Sequence, residues 1–163
     1  MEQTSFTIRS IADTDRARIA TFIAERWSAE IVVVHGAAYR PHELPGFVAW
    51  RGDAIAGLIT YHIENRACEI VTIDSVQSGV GVGIALIEAV KQSARQAGCH
   101  RLWLITTNDN INALMFYQKR GFALVAVHRN AIEQSRKIKP QIPLIGEYGI
   151  PLRDEIELEM ELQ

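Results

Sequence analysis

Ser78-Gly79-Val80-Gly81-Val82-Gly83 lies between a β-prone run ending at Asp74 and an apolar series at helical spacing, Val82, Ala85, Leu86, Ala89, Val90 and Ala94, which stops at Gly98. Three glycines at alternate positions on a strand-to-helix junction bare backbone N–H groups, and the helix start adds partial positive charge, so the segment is an anion cradle. A dinucleotide-binding fingerprint expects an early parallel βαβ unit, whereas these glycines follow a series of antiparallel strands. A P-loop needs Gly-Lys-Ser/Thr, and here Gly83 is followed by Ile84-Ala85. Both phosphate-binding patterns are set aside.

Upstream of the cradle, Phe47 to Trp50, a turn at Arg51-Gly52-Asp53, Ala54 to Ile63, a turn at Glu64-Asn65-Arg66 and Cys68 to Asp74 read as a three-stranded meander. Before it, Thr4 to Ile11 reads as an opening strand. Asp13 is expected to cap a helix to Trp27, with Ala17, Ala20, Thr21, Ala24 and Trp27 on one face. Between Ser28 and Pro45 the pattern breaks, with Ile31 to Val34 as a short strand or buried loop. Downstream, Arg101 to Thr106 is a strand, Asn110 to Arg120 a helix closed by Gly121, and Phe122 to Val127 a strand. A short helix near Ala131 to Lys137 precedes a Pro- and Gly-punctuated connection of the kind that lines sites. In the tail, Ile156, Leu158, Met160 and Leu162 alternate with Glu155, Glu157, Glu159 and Glu161, which predicts a final strand with one buried face and one solvated acidic face.

A length of 163 residues, 48% apolar and 22% charged, fits a single domain spanning 1–163. The formal net charge of −2 gives no basic surplus for a nucleic-acid partner. No apolar run approaches the ~20 residues of a bilayer span, and the start, Met1 to Phe6, lacks the basic and apolar regions of a secretory signal, so a cytoplasmic protein without a membrane partner is expected. Cys68 and Cys99 have neither Cys-x-x-Cys nor metal-ligand spacing and read as small, reduced, buried hydrophobes, with no metal site.

A second motif stands beyond the cradle: Asn110-Ile111-Asn112-Ala113-Leu114-Met115-Phe116-Tyr117-Gln118-Lys119-Arg120-Gly121-Phe122. Together with Ser78 to Gly83 it resembles the GNAT superfamily of N-acetyltransferases, in the pyrophosphate loop Arg/Gln-x-x-Gly-x-Gly/Ala and in Asn-x-x-Ala-x-x-x-Tyr-x-x-x-Gly-Phe. The resemblance implies an α/β (α+β) fold: a central mixed, mostly antiparallel twisted sheet of about six to seven strands, flanked by about four helices and splayed at the acetyl-CoA site. Acetyl-CoA is implied as the acetyl donor. Its pyrophosphate would meet the backbone of Ser78, Gly79, Val80, Gly81, Val82, Gly83 and Ile84, and its pantetheine arm that of Ile73, Asp74 and Ser75. Asn110 and Ala113 would contact it from the second motif, as would Tyr117. Ser78 departs from the family's Arg or Gln, which leaves that contact to backbone N–H groups.

By the same resemblance Tyr117 would protonate the departing thiolate, an undemanding transfer between a phenol of pKa ~10 and a thiol of ~8.5. Direct attack in a ternary complex needs a neutral primary amine, so a base is required. Asp74 and Glu69 are the candidates, and their spacing of five predicts opposite strand faces. The acceptor, a small molecule or peptide amine, would be recognised by Glu25, Trp27, His35, Tyr39, Arg40, Tyr61, His128, Arg129, Glu133 and Arg136; of these Trp27 also reads as core. The alternative to an enzyme is a non-catalytic acyl-CoA-binding sensor or regulatory module. Edge strands of such sheets also allow a homodimer.

Overall fold

In a computed structural model, residues 5–163 are described; the Thr4 start of the expected first strand and Met1 to Gln3 of the leader reading lie outside them. β1 (Thr7–Ser10) leads through a 3₁₀ turn at Asp13–Asp15 into α1 (Arg16–Trp27). Asp13 does not cap that helix. It pairs with Arg16 at 3.0 Å, while Asp15 Oδ2 accepts the Ala12 N–H at 3.0 Å and fixes the turn. β2 (Val32–Val34) and β3 (Ala37–Tyr39) form a separate hairpin, of which the sequence suggested only the first strand.

The meander follows as β4 (Gly46–Arg51), β5 (Ala54–Glu64) and β6 (Ala67–Ser75), then α2 (Val82–Gln96), β7 (Arg101–Thr107), α3 (Ile111–Lys119), β8 (Ala123–His128), α4 (Ala131–Ile138) and β9 (Glu155–Glu161). Seven strands make one sheet in the order β1-β4-β5-β6-β7-β9-β8, antiparallel except where β6 meets β7. The sheet and four α-helices match the expected fold class. No helix among the described residues is long and apolar enough to cross a membrane.

Each face of the sheet has its own core. Val82, Leu86, Val90 and Ala94 of α2 pack with Tyr117 of α3 on Ala49, Ile59, Cys68, Ile70, Leu102, Leu104 and Leu158. Ile19 and Ile23 of α1 pack on Val48, Trp50 and Leu58 from the other side. Cys68 and Cys99 are free and buried, as read from sequence, and burial pushes the Cys68 thiol up to about 12.

Two irregularities shape the middle of the sheet. Thr60 pairs with Thr72 but Tyr61 pairs with Ile70, so Val71 is an extra residue, a β-bulge that resets the alternation of β6. Cys68 and Ile70 point to the α2 core, and beyond the bulge so does Ile73, which leaves Glu69 and Asp74 together on the α1 face. The expectation of opposite faces is overturned for that reason. The second irregularity is a parting of strands. β6 and β7 are paired only from Ala67/Arg101 to Ile70/Leu104, although both strands run on.

Gly57 lets α2 start close against β5. A Cβ there would lie 2.5 Å from Val82 Cγ1 and 2.8 Å from the Asp74 carbonyl oxygen. We expect Gly57→Ala to cost about 1–3 kcal/mol by overpacking, read as a lower urea midpoint; an unchanged midpoint would show that the glycine is not needed for the approach.

Candidate active site

On the α2 face, the segment after β6 turns on Gly79 (φ +81) and Gly81 (φ +84), and the Gly81 carbonyl accepts the Ala85 N–H at 3.1 Å to open α2. Left-handed backbone is cheap only for glycine. Nothing lies within 4 Å of a Cβ built on either residue, so both border open space, whereas one on Gly83 would meet Phe116 at 3.1 Å. That space is a cavity of about 630 Å³. Ile73, Ser75, Ser78, Gly79, Gly81, Val82, Gly83 and Ile84 form one wall; Asn112, Ala113, Phe116, Tyr117 and Arg120 form the other.

Among the residues expected here, Val80 turns into the core instead, and Asn110 caps α3, its Oδ1 accepting the Ala113 N–H at 3.2 Å. Tyr117 is wedged edge-on between Phe116 and Phe122 and is 7% exposed. Burial, then the charge of Asp74, pushes its phenol well above the ordinary tyrosine range. Arg120 was not anticipated. Its guanidinium lies 4.9 Å from the Phe116 ring centre, with Nε buried and unpaired, and its only sequence signal was a cation closing the second motif.

Asp74 faces away from this cavity and is already engaged. Trp27 Nε1 donates to it at 2.5 Å and Arg26 Nε at 3.2 Å. Burial raises its carboxyl above the usual range, opposed by these two donors. Trp27 thus belongs to the α1 packing, as expected, and also holds Asp74.

The α1 face carries the second cavity, about 440 Å³, under the β2–β3 hairpin. The hairpin turn is His35-Gly36, both with positive φ (41° and 76°), the two-residue geometry that matches strand twist. It aims the His35 ring across the sheet. His35 Nε2–H donates to Glu69 Oε1 at 2.8 Å, and Tyr39 O–H donates to Glu69 Oε2 at 3.1 Å. Glu69 is 3% exposed, with both oxygens occupied, so His35 rather than Glu69 lines the cavity. The Glu69 hydrogen bond raises the His35 pKa above its ordinary value, against the lowering effect of burial. Burial, with Glu69 adding to it, pushes Tyr39 up to about 12, so it remains a donor.

Glu155, Glu157, His128, Trp103 and Gln134 complete this cavity. The acidic face of β9 is therefore solvated only toward its end, at Glu161: Glu155 is 2% exposed, and Glu157 is held by Arg101 and by His128 at 3.0 Å. Burial works against the charge of Glu157, but His128 and Arg101 outweigh it and hold its carboxyl below the usual range. The other acceptor-side candidates are dispersed. Tyr61 packs with Phe47 against the α2 core, Glu25 borders a groove on α1, and Arg136 braces the carbonyls of Ile142, Pro143 and Leu152. Arg40, Arg129 and Glu133 do not line the cavity.

A mixed sheet that parts beside a glycine-turned helix start, with a cavity on each face of the gap, has the architecture of an acyltransferase. Residues 11–122 match the acetyltransferase (GNAT) family, and the chain belongs to that family. It is 44% identical over 139 residues to the uncharacterized protein YdhI of Bacillus subtilis strain 168, covering 85% of this chain and 87% of that one. Among solved structures it resembles an IAA acetyltransferase from Bacillus cereus (TM-score 0.73, 24% identity, 97% of this chain and 100% of that one). It also resembles a GNAT family acetyltransferase from Elizabethkingia anophelis with acetyl-CoA bound (TM-score 0.68, 21% identity, 96% and 98%).

The His35–Glu69 pair favours the protonated imidazole, so its stabilisation is present in full below the ordinary histidine pKa and fades as pH rises through the raised one. In Glu69→Gln the NMR titration of His35 is expected to move to lower pH, and the variant's stability deficit to be larger at pH ~6 than at pH ~9. A titration left in place would dismiss the pair.

Proposed function

We propose that the protein transfers acetyl from acetyl-CoA to the primary amine of a small molecule or peptide, by direct attack in a ternary complex. The observation that carries this reading is the gap between β6 and β7, with the glycine-turned cavity on one face and the His35 cavity on the other. When bound, acetyl-CoA supplies the thioester as the acetyl source. The open N–H groups of the Gly79 to Ile84 segment fit its pyrophosphate, and the Arg120 guanidinium supplies a cation that Ser78 does not. The unpaired edge of β6 at Ile73 to Ser75 fits an amide-bearing arm.

Tyr117 is the acid. Burial and the Asp74 charge hold its proton on and make it a weaker acid than a free phenol, so its role rests on its place in the cavity wall. Proton removal from the amine falls to His35, with Glu69 holding the imidazole by Nε2–H and stabilising its protonated form. Asp74, tied to Trp27 and Arg26, positions the end of β6 and takes no proton. Glu69 thus acts through His35.

The test is thiol release from acetyl-CoA against pooled primary amines. Wild-type protein is expected to release thiol, and Tyr117→Phe to lose about 10–100-fold in kcat while keeping its Kd for CoA. Tight CoA binding without release from any pool would favour the sensor reading. Arg120→Ala is expected to weaken CoA binding about tenfold by calorimetry; equal affinity would remove Arg120 from the site.

A further inference from the structure

Carboxylates crowd the face of the sheet that carries His35. Glu155, Glu157 and Glu159 stand there opposite Thr107, Ile105 and Trp103 of β7, and Glu69 joins them from β6. Most are answered within the chain. Arg101 meets both Glu157 and Glu159, His128 Nε2–H donates to the other Glu157 oxygen, and Glu69 is held by His35 and Tyr39. Glu155 is not. One of its oxygens accepts the His35 backbone N–H at 3.0 Å, and the other, Oε1, is buried with no hydrogen-bond partner among the described residues.

A buried carboxylate oxygen without a donor is costly, and a donor brought by a ligand would relieve that cost. Glu155 forms part of the cavity wall beside Glu157, and no lysine or arginine among the described residues lines that cavity. The reacting amine cannot fill the role, because it must be neutral when it attacks. A cation that stays charged throughout can. Trp103 and Ile105 supply an apolar wall for a hydrocarbon spacer between the two nitrogens.

The geometry points to a subsite, between Glu155 and Glu157, for a second ammonium group of the acceptor, so that the preferred acceptor is a diamine. This rests on the acetyltransferase reading above for the reaction, but the subsite can be tested without it. The probes are 1,4-diaminobutane and 1-aminobutane, titrated calorimetrically into the protein and then compared as acceptors. The diamine is expected to bind about tenfold tighter, a difference of about 1.4 kcal/mol. Glu155→Gln, nearly isosteric, is expected to erase that preference and to bring KM for the diamine to that for the monoamine.

Gln134→Lys guards against a folding artefact, since Gln134 is exposed on α4 and borders the cavity. It brings the chain's own ammonium to the subsite and is expected to erase the same preference. Equal binding of the two amines by wild-type protein, or a preference that survives both variants, overturns the subsite. Glu155-dependent diamine binding without acetylation of either amine would uphold the subsite and overturn the transfer reading instead.

Discussion

The parting of β6 from β7 is the constraint on which the other features depend. Up to Ile70 and Leu104 the two strands share a parallel ladder, and beyond it β6 keeps only β5 and β7 keeps only β9. Backbone donors and acceptors along the facing edges are thus left without strand partners in the middle of a sheet, where such groups are ordinarily paired. The Val71 bulge sits at the branch point and gives β6 the local bend that a bulge imposes. The ladder therefore ends between the two cavities, one on each face of the sheet.

Groups with opposite proton tendencies stand on the two sides of the sheet. Tyr117 lies in the α2-side core, where desolvation keeps its proton on. His35 lies on the α1 side, where the Glu69 hydrogen bond stabilises the ring after it has gained a proton. The sheet separates the two side chains.

The parts of this arrangement that were legible in the sequence are those fixed by local chemistry. Alternating glycines before a helical series, an asparagine at an N-cap, and strict alternation in β9 each act within a few residues, and the glycine turn, the Asn110 cap and the final strand follow. The resemblance of the two motifs added Tyr117 and the acetyl-CoA reading. What could not be read depends on contacts distant in sequence. Alternation counts residues but not bulges, so Glu69 and Asp74 were placed on opposite faces until Val71 reset the count. Alternation also separates two faces of β9 without saying what covers each, and a hairpin more than a hundred residues upstream turned the acidic face into a cavity wall. Arg120 became part of a cavity only through the approach of α3 to the glycine segment.

His35 shows how the hairpin ties these elements together. A histidine at φ 41° accepts a left-handed backbone that asparagine or glycine adopts at lower cost, and the turn alone would favour either of them. The side chain offsets that cost. Its ring reaches Glu69 on β6, its ring centre lies 5.5 Å from that of Trp103 on β7, and its backbone N–H donates to Glu155 on β9. One residue of a two-residue turn therefore touches three strands of the main sheet, including both that part at the gap. Replacing it with a better turn former would keep the hairpin but release its grip on the sheet, so the strain is best understood as the condition for holding the imidazole against β6 and β7.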